Sequence, residues 1–273
     1  MRYLEKSFQL LFKCFLILVP TFAALAIPAL IQGVGAANAL ASLYGMINMA
    51  NAGYLVDNPW LVFQLALNII SAVVGGSFVA FILNFIAVPS TAGMVNKALE
   101  TGVADLQDFV PSLKGNFAKY LLYWLGTIVL SLILGFAGVI LFLLFSLLAG
   151  ALGSFGLFLL ILAIIAMALA GFVISILLSF WFPSMVVDDL GVVDGFKKSI
   201  EVARSYFWPL LGITLLVAIC SSIVSGILSF IGLIPILGPV ILAVIPAFTA
   251  VLLTTFYFSV YRDKTGKGEA FIA

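Results

Sequence analysis

The densest group of reactive side chains is Asp188-Asp189, followed by Asp194 and Glu201. Two close carboxylates are the oxygen donors that Mg²⁺ or Ca²⁺ takes. The same stretch carries Lys197, Lys198 and Arg204, cations that attract anionic lipid headgroups beside a membrane. The preferred reading of the acids is structural: a helix cap and interface charges balancing those three cations. The chain has no histidine, which removes the commonest general base and metal ligand together. Its two cysteines, Cys14 and Cys220, form no CxxC and read as small buried hydrophobes. No catalytic constellation emerges, and the sequence asks for no metal and no cofactor.

Composition says what must position these residues. Of 273 residues, 64% are hydrophobic and 8% charged, against about 25% charged in a soluble domain. So much apolar surface cannot be hidden in a water-soluble globule. A net charge of +1 argues against nucleic acid as a partner.

Crossing about 30 Å of hydrocarbon takes about 20 apolar helical residues. Six runs qualify: Leu10–Ile31, Leu61–Val88, Tyr120–Leu144, Phe155–Phe182, Trp208–Ile231 and Leu237–Tyr257. The first outlasts a signal-peptide core, so it reads as an uncleaved span. Strand-like alternation is missing, so a β-barrel is not expected.

All twelve Lys and Arg residues fall at the N-terminus, in Pro89–Lys119, in Pro183–Phe207 and in the C-terminal tail. With six spans these segments share one side, which the positive-inside rule makes cytoplasmic. Both termini are therefore expected in the cytoplasm. On the outer side, Leu40, Leu43, Tyr44 and Ile47 predict a short interfacial helix within Gly33–Trp60. Ala149–Ser154 and Gly232–Pro235 read as tight turns.

A repeat runs through the chain. Aligning Ser7, Ser112 and Ser199 matches Leu4, Phe109 and Phe196 three positions earlier, and Phe15, Tyr120 and Phe207 eight positions later. Phe196, Ile200, Ala203 and Phe207 predict one apolar helix face, with Asp194 as N-cap. Asp105 and Asp108 have capping-box spacing. The expected fold is all-α: one transmembrane domain over residues 1–273, built of three parallel hairpin units (1–90, 91–183 and 184–260) with a tail at 261–273. Each unit starts with a cytoplasmic amphipathic helix.

The stretch from Pro183-Ser184-Met185-Val186-Val187-Asp188-Asp189 through Val193-Asp194-Gly195-Phe196-Lys197-Lys198-Ser199 to Arg204-Ser205-Tyr206-Phe207-Trp208-Pro209 resembles a cytoplasmic loop of the glycerophosphoryl diester phosphodiesterase membrane-domain family and related six-span prokaryotic membrane proteins. The start, Lys6-Ser7-Phe8-Gln9-Leu10-Leu11, is similar to that family's start. The resemblance implies a membrane module in a prokaryotic cell membrane. It implies no catalysis, since this chain has no histidine for the family's soluble active site.

Within the spans, Gly171, Ser175 and Ser179 form one small-residue stripe, and Ser221, Ser225 and Ser229 another. Such stripes let helices approach closely, so spans four and five are expected to pack along them. Asn68 and Asn84 are the most polar residues of span two and read as interhelical hydrogen-bonders or cavity lining. No Asp, Glu, Lys or Arg lies in a span centre, which counts against a proton-coupled pump. The leading expectation is a non-enzymatic module that organises lipids, other membrane proteins or copies of itself. A permease or channel for a neutral or lipid-like solute comes next, and would be favoured by polar stripes from several helices converging on one cavity. A lipid-directed enzyme using Asp188, Asp189 and Asp194 comes third.

Overall fold

Six helices are long and apolar enough to cross a membrane, and every regular element among the described residues is helical. The structure is a computed structural model that describes residues 2–49, 59–234 and 237–267. Helix α1 (Arg2–Lys13) is amphipathic and buries Leu4, Ser7, Leu10 and Leu11. A 3-10 turn leads into α2 (Leu18–Met49), span one. Span two is α3 (Pro59–Thr101), and span three is α4 (Phe109–Leu152). At 1.5 Å per residue each of these is about 65 Å long, twice the hydrocarbon thickness. Span four is α5 (Ser154–Leu177), followed by the short α6 (Trp181–Val187) and the amphipathic α7 (Val192–Ser205). Span five is α8 (Phe207–Leu228). Span six is α9 (Leu237–Leu242) continued by α10 (Val244–Lys264).

Consecutive spans pack on one another, and α10 also packs on α1, α2 and α3. The core lies at the charged end, where Phe180, Phe256, Phe258 and Tyr261 are wholly buried. Toward the other end, spans three and four turn Leu132, Phe136, Leu147 and Phe155 outward, the surface a helix offers to lipid.

Several boundaries differ from the sequence expectation. Span two does not stop before Pro89 but runs through it to Thr101. Proline forfeits only one backbone donor, and neighbours in a bundle tolerate that. Gly102, at φ +75°, ends this helix with its N–H on the Ala98 carbonyl. The outer segment expected as a separate interfacial helix is, as far as Met49, a continuation of α2; residues 50–58, and Pro235 of the last outer turn, lie outside the described residues. The capping box forms as expected: the Asp105 side chain accepts from the Asp108 backbone and the Asp105 N–H donates to the Asp108 side chain at 3.0 Å, while the Leu106 N–H also donates to Asp105 at 2.6 Å. Asp194, in contrast, is not an N-cap. Helix α7 starts at Val192 on an extended Gly191, which leaves Asp194 in the first turn, where its charge still suits the helix dipole. The buried face of α7 is Gly195, Ser199, Val202 and Ala203, while Phe196 and Ile200 are half-buried.

Candidate functional site

Spans three and four each carry polar or small residues at four-residue intervals, one face of a helix. On span three these are Tyr123, Thr127 and Ser131; on span four, Gly171, Ser175 and Ser179. All six line one cavity of about 530 Å³, a volume typical of small-molecule sites. Span five contributes Thr214 and span six contributes Thr254 and Tyr257. The rest of the lining is mainly apolar, and among the described residues no Asp, Glu, Lys or Arg is part of it.

Four of the hydroxyl protons are committed within their own helices. Thr127 donates to the Trp124 carbonyl (2.7 Å), Ser175 to Phe172 (2.7 Å), Ser179 to Ile176 (2.8 Å) and Thr254 to Ala250 (2.8 Å). Thr214 and Tyr257 share a hydrogen bond of 3.3 Å. Each of these hydroxyls keeps lone pairs to spare, while Tyr123 and Ser131 make no hydrogen bond to a described residue, so the wall offers acceptors and donors together.

Trp181, Phe182 and Pro183 of α6 also line the cavity. Tyr123 packs against Trp181 and Phe182 with ring centroids 5.3 Å away in each case. Trp181 donates its indole N–H to the Val192 carbonyl at 2.8 Å, which fixes the ring to α7. The break between α5 and α6 is held by Ser199, wholly buried on α7: its hydroxyl donates to the Leu177 carbonyl (2.8 Å) and accepts the Phe180 N–H (3.2 Å).

Beyond α6 lies an ionic lattice. Asp188 accepts from Tyr261 and pairs with Lys267 at 2.5 Å; Lys267 also donates to the Val187 carbonyl at 2.8 Å. Burial alone would raise the Asp188 carboxyl, but Lys267 and Tyr261 outweigh it and hold the group below the usual carboxylate range. Asp189, at φ 57°, pairs with Lys119 at 2.7 Å, which also holds its carboxyl low. Arg262, 5% exposed, donates to Asn96 (2.9 Å) and Glu100 (2.8 Å). Tyr3 donates to Asp263 at 2.5 Å, and burial, then that carboxylate, push its phenol up to about 12. The lattice ties the end of the last span to α1, to the second span and to the end of α6.

The residues singled out from sequence divide between these features. The Gly171 stripe faces the cavity, and a Cβ on Gly171 would meet nothing within 4 Å. Of the second stripe, Ser221 accepts from Thr249 of span six at 3.0 Å, Ser225 is half-buried and Ser229 donates to its own helix at Gly226. Asn84 donates to the Ala80 carbonyl of its own helix at 2.8 Å; the Asn68 side chain lies outside the described residues. Lys198 pairs with Glu201 at 3.0 Å, while Lys197 and Arg204 are exposed. Asp188, Asp189 and Glu201 thus turn to three different lysines, and among the described residues no cluster of three or more His, Cys, Asp or Glu suited to a metal occurs. Cys14 is buried as expected; Cys220 is not, because it faces outward on span five beside a second, almost wholly apolar cavity of about 350 Å³. Sequence reasoning missed Tyr123, Thr127, Ser131, Thr214, Thr254 and Tyr257, although the four-residue spacing of the first three was there to be read.

Residues 21–263 match the model of a family described as Domain of unknown function (DUF7847), and the chain belongs to that family. No curated protein and no solved structure matches it. The family match carries no link to the glycerophosphoryl diester phosphodiesterase membrane domains.

Proposed function

We propose that this member of the DUF7847 family is a non-enzymatic membrane module that holds a neutral, lipid-like molecule among spans three to six. One observation carries the reading: hydroxyls from four different spans line a single uncharged cavity. Such a wall solvates a polar head, and the apolar remainder suits a hydrocarbon chain. Passage of such a solute is the second reading, favoured by the same convergence of polar stripes.

The module is built as three parallel hairpin units with its basic end in the cytoplasm of a prokaryotic cell membrane. Three observations support the repeat. The aligned Ser7 and Ser199 are both buried. So are Ser90 and Ser184, each following a proline at a return span. Ser259 of the third return is buried as well, and Asp263 and Gly266 follow it at the spacing with which Asp188 and Gly191 follow Ser184. The twelve-to-none distribution of Lys and Arg supports the orientation. Lys197, Lys198 and Arg204 then border the inner leaflet, where anionic headgroups are their natural partners. The membrane's own lipids, other membrane proteins or further copies of the chain are the partners such a module organises.

A photoreactive residue at Ser175, activated in intact membranes, tests the proposal against the same residue at the lipid-facing Ile219. A discrete neutral-lipid adduct at position 175, with a mixture of bulk lipids at 219, is expected. The same lipid mixture at both positions refutes it.

A further inference from the structure

We infer, building on the reading that the cavity is occupied, that its ligand is a neutral lipid alcohol: an amphiphile with a free hydroxyl, not an anionic or fully esterified lipid. A hydroxyl has one proton and two lone pairs. Thr127, Ser175, Ser179 and Thr254 each spend the proton on a carbonyl of their own helix, at 2.7 to 2.8 Å. What they present to the cavity is therefore acceptor oxygen, from three different spans.

Each ligand class meets this surface differently. An anionic headgroup finds no Lys or Arg among the described lining residues and faces the lone pairs of those four hydroxyls. A cation finds no carboxylate there, and a charge at this depth without a counter-ion is costly. A fully esterified lipid carries only acceptors: it can take the protons of Tyr123 and Ser131 but leaves the oxygens of Thr127, Ser175, Ser179 and Thr254 without a donor. An alcohol supplies the missing proton. It also accepts, and the Tyr123 hydroxyl makes no hydrogen bond to a described residue and is free to donate back. The cavity's 530 Å³ accommodates the head and the first part of a chain, with Leu130, Leu134 and Phe172 as the apolar wall.

The test uses the full chain in nanodiscs and three probes with identical brominated acyl chains: a diacylglycerol, its acetyl ester and the corresponding phosphatidic acid. Bromine quenches the fluorescence of tryptophans beside it, and Trp181 lines the cavity. The quenching lost in Gly171→Phe, which projects a ring into the cavity from a position where a Cβ meets nothing within 4 Å, reports binding there. The diacylglycerol is expected to bind more tightly than the ester or the acid by up to about ten-fold, as one gained donor contact allows. The double variant Thr127→Val, Ser175→Ala is expected to lower that preference, read as the ratio of diacylglycerol to ester affinity. Equal binding of all three probes, or tighter binding of the ester or the acid, overturns the inference and leaves the occupied cavity standing. Quenching by every probe that Gly171→Phe does not alter overturns the occupied cavity, and the inference with it.

Discussion

Replacing Ser199 by alanine removes one oxygen that serves two elements. Its hydroxyl donates to the Leu177 carbonyl at 2.8 Å and accepts the Phe180 N–H at 3.2 Å, with Ser199 and Phe180 both wholly buried. The turn between α5 and α6 gives neither group another visible partner. A hydrogen bond contributes about 0.5–1.5 kcal/mol net, and leaving a buried partner unsatisfied costs about 1–3 kcal/mol. The two losses overlap, because one oxygen serves both groups, and together come to about 3 kcal/mol. In a chain of this size that lowers the melting midpoint by about 6–12 °C. The assay is thermal unfolding of purified protein followed by size exclusion. The control is Ser205→Ala, since Ser205 is exposed and donates only to Val202 of its own helix; it should shift by less than about 2 °C. Equal midpoints for the two variants would refute the reasoning that α7 holds the break beneath the cavity.

Other outcomes follow from the same geometry. Gly126→Ala should lower the midpoint, because its Cβ would lie 2.9 Å from both Trp181 and Val192, whereas Gly171→Ala should be neutral or stabilising by up to about 1 kcal/mol; thermal unfolding of the pair checks this. Arg262→Met should cost about 2–3 kcal/mol through two lost charge-assisted hydrogen bonds, to Asn96 and Glu100, seen as a lower midpoint. Tyr261→Phe should cost about 1.5–3 kcal/mol in the same assay, reduced by the Lys267 pair that Asp188 keeps. For pH, the Asp188 carboxyl is held below its unfolded value of about 3.9. Its contribution is therefore fully present above about pH 5 and fades as pH falls through the depressed folded value. The midpoints of wild type and Asp188→Asn should differ at pH 7 and converge below about pH 4.

The spans were legible because lipid demands about 20 apolar residues in a row, and nothing in water does. Their ends were less so. Pro89 reads as a stop, yet inside a bundle one missing donor does not end a helix, and α3 continues to Thr101. The wheel of α7 put Phe196 and Ile200 inside, but the element that covers this helix presents Ser184 and Met185, and Gly195 is what lets them approach. The stripe of Gly171, Ser175 and Ser179 was legible, but as a packing face between spans four and five, whereas it lines the cavity. Tyr123, Thr127 and Ser131 have the same spacing, yet spacing within one helix does not say what stands opposite. The lattice was the least legible part: Asp188 and Tyr261 lie 73 residues apart in sequence, and Asn96 and Arg262 lie 166 apart. Only the folded chain brings them together.

Native mass spectrometry of the protein extracted gently from its own membrane, beside Gly171→Phe, tests the occupied cavity most directly. One neutral-lipid mass is expected on the wild-type chain, lost in the variant while the variant stays folded and monodisperse. A wild-type chain free of lipid, or a lipid retained equally by both, would contradict it.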